Sequence, residues 1–119
     1  MLDTIFVNSN GNITFNGNDG PTYNESPATH FNVPRVAALF DDLNPGMNGS
    51  VSWKQLADRA VVTWEDVPEY GTANFNTFQI EMRFDGTIAI SYAAIASADN
   101  VVGLSEGLGL PDPFYETDL

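Results

Sequence analysis

The chain has 119 residues, 4 basic and 16 acidic side chains for a net charge of −12, and no cysteine. That charge argues against nucleic acid as a partner, since neutralising phosphates takes clustered Lys and Arg, and against adsorption to an anionic membrane. The lack of cysteine removes disulfide scaffolds, thiolate metal sites and thiol nucleophiles together, and no apolar run approaches the ~20 residues of a membrane-spanning helix.

The length suits one domain. Thr4–Val7 and Asn12–Phe15 read as two strands of a hairpin around Asn10-Gly11, a pair suited to positive φ at both central positions. Residues 16–32 read as a long loop rich in Asn, Gly and Pro, opening with the oxygen-rich Asn16-Gly17-Asn18-Asp19-Gly20. Val36–Phe40 is apolar at both parities and follows Pro34, which suits a strand covered on both faces.

Val51–Lys54 and Ala60–Trp64 form a second expected hairpin through Ala57-Asp58. In Asn76–Phe84 the residues Phe78, Ile80, Met82 and Phe84 alternate with polar neighbours, so the strand has one buried and one wet face. Asp85-Gly86 predicts a two-residue turn into Thr87–Tyr92, whose apolar face is Ile88, Ile90 and Tyr92. Val101–Leu104 is a last short strand before a Gly- and Pro-rich tail. No segment keeps a 3.6-residue period. These elements predict an all-β fold, an antiparallel β-sandwich built from hairpins with little or no helix.

Four stretches in order resemble the NIDO domain, the extracellular module named for nidogen. They are Val7-Asn8-Ser9-Asn10-Gly11-Asn12-Ile13-Thr14-Phe15; Val36-Ala37-Ala38-Leu39-Phe40-Asp41-Asp42-Leu43; Ala60-Val61-Val62-Thr63-Trp64; and Asn76-Thr77-Phe78-Gln79-Ile80 with Asp85-Gly86 and Tyr92. They cover roughly residues 4 to 105, and the N-T-F-Q strand with its D-G hairpin is the most specific of them. The aromatic F-x-F-x-G segment that usually precedes the N-G hairpin is not found. Residues 1–119 are therefore expected to be a single NIDO-like domain lacking the family's first strand.

The resemblance implies a non-catalytic binding or adhesion module of a larger secreted or surface protein, located outside the cell or at its surface. Its partner would be a protein or glycan of the cell surface or matrix. Two other readings compete: a self-assembling structural subunit that exchanges strands at an open sheet edge, and a carbohydrate-binding or hydrolytic domain.

The chemistry-bearing residues are few. Asp41, Asp42 and Asn44 gather oxygens at a strand end and are the candidate metal ligands; no cofactor is required, and calcium is the cation such hard ligands suit. Their alternative role is to accept backbone N–H bonds in a turn. Glu65, Glu69 and Tyr70 around Pro68 are the candidate ligand-binding residues, the carboxylates as a hydrolytic pair and Tyr70 as an exposed stacking ring. Trp64 shares its parity with Ala60 and Val62 and is expected in the core. His30, the one histidine, has no cysteine to join it at zinc and no nucleophile motif nearby. Asn12, Asn24 and Asn48 each begin an N-x-S/T glycosylation pattern.

Overall fold

A computed structural model describes residues 4–19 and 21–117, so Gly20 of the Asn16–Gly20 loop lies outside the described residues. Eight strands and one helical turn follow in the order β1 (Phe6–Asn8), β2 (Asn12–Thr14), α1 (Pro27–His30), β3 (Pro34–Phe40), β4 (Ser50–Gln55), β5 (Arg59–Pro68), β6 (Phe75–Arg83), β7 (Ile88–Ala94) and β8 (Val101–Glu106). They build two antiparallel sheets, β1-β2-β3-β8 and β4-β5-β6-β7.

The core lies between the sheets. Ile13, Val36, Ala38 and Leu39 from the first meet Val62, Trp64, Phe78 and Ile80 from the second, with Leu43 and Val67 joining them. Trp64 is fully buried and stacks on Phe78 at 4.9 Å between ring centroids. The period-two pattern of β6 is thus satisfied at Phe78 and Ile80.

The expected turns differ from the observed ones in a consistent way. Both D-G and N-G hairpins have three-residue loops, Phe84–Gly86 and Ser9–Gly11, and only the glycine is left-handed (Gly86 φ 95°, Gly11 φ 79°). In the first, the Gly86 N–H donates to the Arg83 carbonyl and the Arg83 N–H to the Thr87 carbonyl. This is the turn-plus-bulge solution for a three-residue loop, which leaves Asn10 and Asp85 in ordinary backbone conformations. Phe84 consequently falls in the turn, 60% exposed, instead of extending the apolar face of β6.

The two-parity apolar run of β3 has a specific cause. A β-bulge places both Ala38 and Leu39 in the core, and their N–H groups both donate to the Gly11 carbonyl at 3.2 and 3.1 Å. Arg35, Ala37 and Phe40 then point to the opposite face of the sheet. That face is covered by residues 16–19 and 21–32, which contain α1 with Ser26 as its N-cap and Pro27 in its first turn.

Candidate functional site

The cover over the first sheet is held by a buried polar layer. Arg35 is 1% exposed; it pairs with Asp19 at 2.8 Å, donates to Asn12 Oδ1 at 2.8 Å and to the Thr29 and His30 carbonyls at 3.3 Å, and lies 4.5 Å over the Phe40 ring. Asn8 donates to Asn12 and Thr14 and accepts from the Asp19 N–H. Asn10 donates to the Thr22 carbonyl and accepts from the Leu43 N–H. The early asparagines are therefore cross-links of the fold. Asn12 is fully buried, so of the three glycosylation patterns only those at Asn24 and Asn48 start on the surface.

His30 is buried beside Gly103, and neither ring nitrogen makes a well-formed hydrogen bond. Burial holds its pKa below the ordinary value, partly opposed by the nearby Leu104 carbonyl. No nucleophile or metal partner stands beside it among the described contacts.

The richest chemistry lies at one end of the sandwich, past the C-terminus of β3. Asp41 is almost fully buried. It accepts from Ser97 Oγ at 2.6 Å and from the Asp42 N–H at 2.7 Å. Burial pushes its pKa up to about 7, with the Glu69 carboxylate adding to the rise. Glu69 is 8% exposed and accepts from Asn74 Nδ2 at 2.6 Å and the Ala98 N–H at 3.0 Å. Burial works against its ionisation, but the Asn74 amide, the Asp41 carboxyl and the Ala98 N–H hold its pKa below the usual value. The two carboxyl groups are thus shifted in opposite directions, Asp41 toward its protonated form and Glu69 toward its ionised form.

Glu25 and Asp99 reach the same place, and their carboxylate oxygens lie within 4.8 Å of one another and of Asp41. Glu25 is raised by burial and by the Asp99 and Asp42 charges. The three carboxylates that converge are therefore Glu25, Asp41 and Asp99. Asp42 and Asn44, expected as ligands with Asp41, do not join this set. Asp42 is raised by burial and gives its carbonyl to the Tyr70 N–H at 2.7 Å, while the Asn44 N–H donates to the Pro68 carbonyl at 2.8 Å. Glu25 and Asp99 come from loops distant in the chain, and no local pattern marks either one.

Tyr70 stands on this end, 67% exposed, on a loop fixed from below. Its N–H is held by Asp42, Leu43 bridges to Glu69, and Glu69 is itself buried. Glu65 is separate in role. It sits exposed on the β5 bulge between Trp64 and Val67, next to Asp66, whose φ is 51° and whose N–H donates to Thr77 Oγ1. Glu69 is spent on hydrogen bonds within the fold while Glu65 faces solvent, so the two do not form a matched pair of accessible carboxylates.

Asn76, which opens the N-T-F-Q stretch, closes this end. It is fully buried; its amide donates to the Val67 and Asn74 carbonyls and its oxygen accepts from the Ala96 and Ser97 N–H groups. A family model described as NIDO related matches residues 2–117. The chain belongs to the NIDO-related family. Comparison with curated proteins and with solved structures gave no match. The NIDO-related family is generally extracellular, which suggests a module of a larger protein. Among the described residues no helix is long and apolar enough to cross a membrane. For this NIDO-related domain, the motif-bearing Asn76 reads as a structural pin that fixes residues 95–98 against Asp41 and Glu69.

Proposed function

We propose that this NIDO-related domain is a non-catalytic extracellular binding module that meets its partner at the Asp41 end of the sandwich. The observation that carries this reading is Tyr70: a large ring exposed on a backbone anchored by Asp42 and the buried Glu69. An aromatic side chain presented on a rigid support loses little freedom on binding and is the kind of residue that dominates interface energetics. Asp42, Glu25 and Asp99 make the surroundings acidic, which favours a partner with basic groups, either a protein or an amine-bearing glycan of the surface or matrix.

The test is direct binding of the 119-residue chain to a panel of purified matrix proteins and glycans, repeated with Tyr70→Ala and Asp42→Asn. Tyr70→Ala should weaken the best binder about tenfold or more without moving the melting temperature. Binding that ignores both substitutions, or no binding across the panel, sinks the reading. Calcium belongs in the same series. A rise in melting temperature with calcium, cancelled in Asp99→Asn, would add a cation held by Glu25, Asp41 and Asp99; no heat and no shift removes calcium from the module.

A further inference from the structure

The two sheets have four edges, and three are protected against pairing with another chain. β1 is only three residues long; β4 carries Lys54; β8 contains Gly103, ends on Glu106 and pairs with a bulged partner. Short edges, edge lysines and irregular pairing are the devices that stop sheets from joining. β7 has none of them over Ile88-Ala89-Ile90-Ser91-Tyr92. These five residues pair regularly with β6, carry no charge, and include neither Pro nor Gly; the irregularity comes only at Ala93. Among the described residues β7 pairs with β6 alone.

The edge is also rigid and apolar on its core side. The Tyr92 hydroxyl donates to the Ala38 carbonyl of the other sheet at 2.6 Å, which pins β7 in place. Ile88 and Tyr92 nevertheless remain 38% and 46% exposed. On β8, Leu104 lies opposite core-facing Val36 in register and is still 59% exposed.

We propose that β7 is a self-association edge: two copies pair β7 with β7 antiparallel, joining their four-stranded sheets into one continuous sheet of eight. A second copy fits because the strand is self-complementary. With the two-fold axis at Ile90, Ile90 meets its own mate, Ile88 meets the mate of Tyr92, and Ala89 meets the mate of Ser91. Each core-side contact is apolar, with the aromatic against a β-branched side chain, a favourable cross-strand pairing. No like charges face each other across the seam, although each copy carries −12. The isologous arrangement closes as a dimer and leaves no further β7 edge free. Electrostatic repulsion between the two acidic bodies opposes it at long range, so added salt strengthens it.

Sedimentation equilibrium of the 119-residue chain over a concentration series, at low and high salt, tests this. The expected result is a monomer–dimer equilibrium that tightens with salt. Ala89→Lys with Ser91→Lys sets lysine opposite lysine across the seam. In the single chain these side chains lie beside Glu81 and Gln79 and are tolerated. The double variant should raise the dissociation constant about tenfold or more, whereas Ser52→Lys on β4 should leave it unchanged. Should the double variant fail to fold, amide exchange on the unaltered chain decides: β7 N–H groups gain protection as concentration rises. A monomer up to concentrations on the order of 1 mM, a dimer indifferent to the double lysine, or β7 exchange independent of concentration overturns the proposal.

Discussion

Arg35 and Asp19 sit 2.8 Å apart, the first sealed beneath residues 16–19 and 21–32 and the second at the margin of solvent. The pair joins the sheet to its cover, and the remaining guanidinium donors go to Asn12 and to carbonyls in and near α1. Removing one partner of a buried pair leaves an uncompensated charge, which costs far more than the pair itself contributes. Asp19→Ala is therefore expected to destabilise the fold by about 3 kcal/mol, read as a lower urea midpoint. Asp58→Ala, which breaks the exposed pair with Arg59, should not move that midpoint measurably.

Gly11 is demanded twice, by conformation and by space. Its φ is 79°, and a Cβ there would stand 1.9 Å from the Leu39 carbonyl oxygen, an unyielding backbone atom. Gly86 has a similar φ of 95° but open space around it. Gly86→Ala should cost about 1 kcal/mol, the penalty of a left-handed backbone alone, and Gly11→Ala more than about 3 kcal/mol. Equal losses by chemical denaturation would refute the backbone clash as the cause.

That contrast also marks how far the sequence could be read. Period two at Phe78 and Ile80, and the turn pairs Asn10-Gly11 and Asp85-Gly86, located the hairpins, because side-chain alternation and left-handed glycine are local properties. Both turn pairs look alike in sequence, and nothing local says that one glycine touches Leu39. The same limit hid the early asparagines. Asn8, Asn10 and Asn12 have turn-forming composition, yet their side chains serve a buried layer organised by Arg35, 23 residues beyond Asn12. At the candidate site, Asp41 and Tyr70 were visible as an acidic strand end and a loop aromatic. Their partners Glu25, Asp99 and Ser97 were not, because only the folded sheets bring those loops together.

Tyr92 offers a smaller and cleaner perturbation. Its hydroxyl spans the two sheets to the Ala38 carbonyl, and burial raises its pKa. Tyr92→Phe keeps the ring near Phe78 and deletes only this bond. The expected loss is about 1 kcal/mol, with the secondary structure unchanged by circular dichroism. A loss several times larger would show that the bond organises more than the β7 edge.

The Asp41–Glu69 pair makes a signed prediction about pH. Folding raises the Asp41 pKa from 3.8 to about 7, so the folded chain holds a proton that the unfolded chain releases. The stabilising contribution is complete below the unfolded value and is lost as pH rises through about 7. Glu69, lowered from 4.5, and His30, lowered from 6.5 by burial, act oppositely: each contributes above its unfolded value and loses that contribution as pH falls through its folded value. Asp41→Asn removes the first effect and leaves His30 in place, because an amide mimics the protonated carboxyl without titrating. Melting temperatures of both proteins from about pH 5 to 8 separate the contributions. The stability of the wild type relative to Asp41→Asn should fall as pH rises from about 5 to about 7 and level off above that, where the carboxyl is ionised in both folded and unfolded chains. A difference that stays flat with pH would mean that Asp41 is ionised throughout, and that Glu25, Glu69 and Asp99 surround a charge instead of a proton.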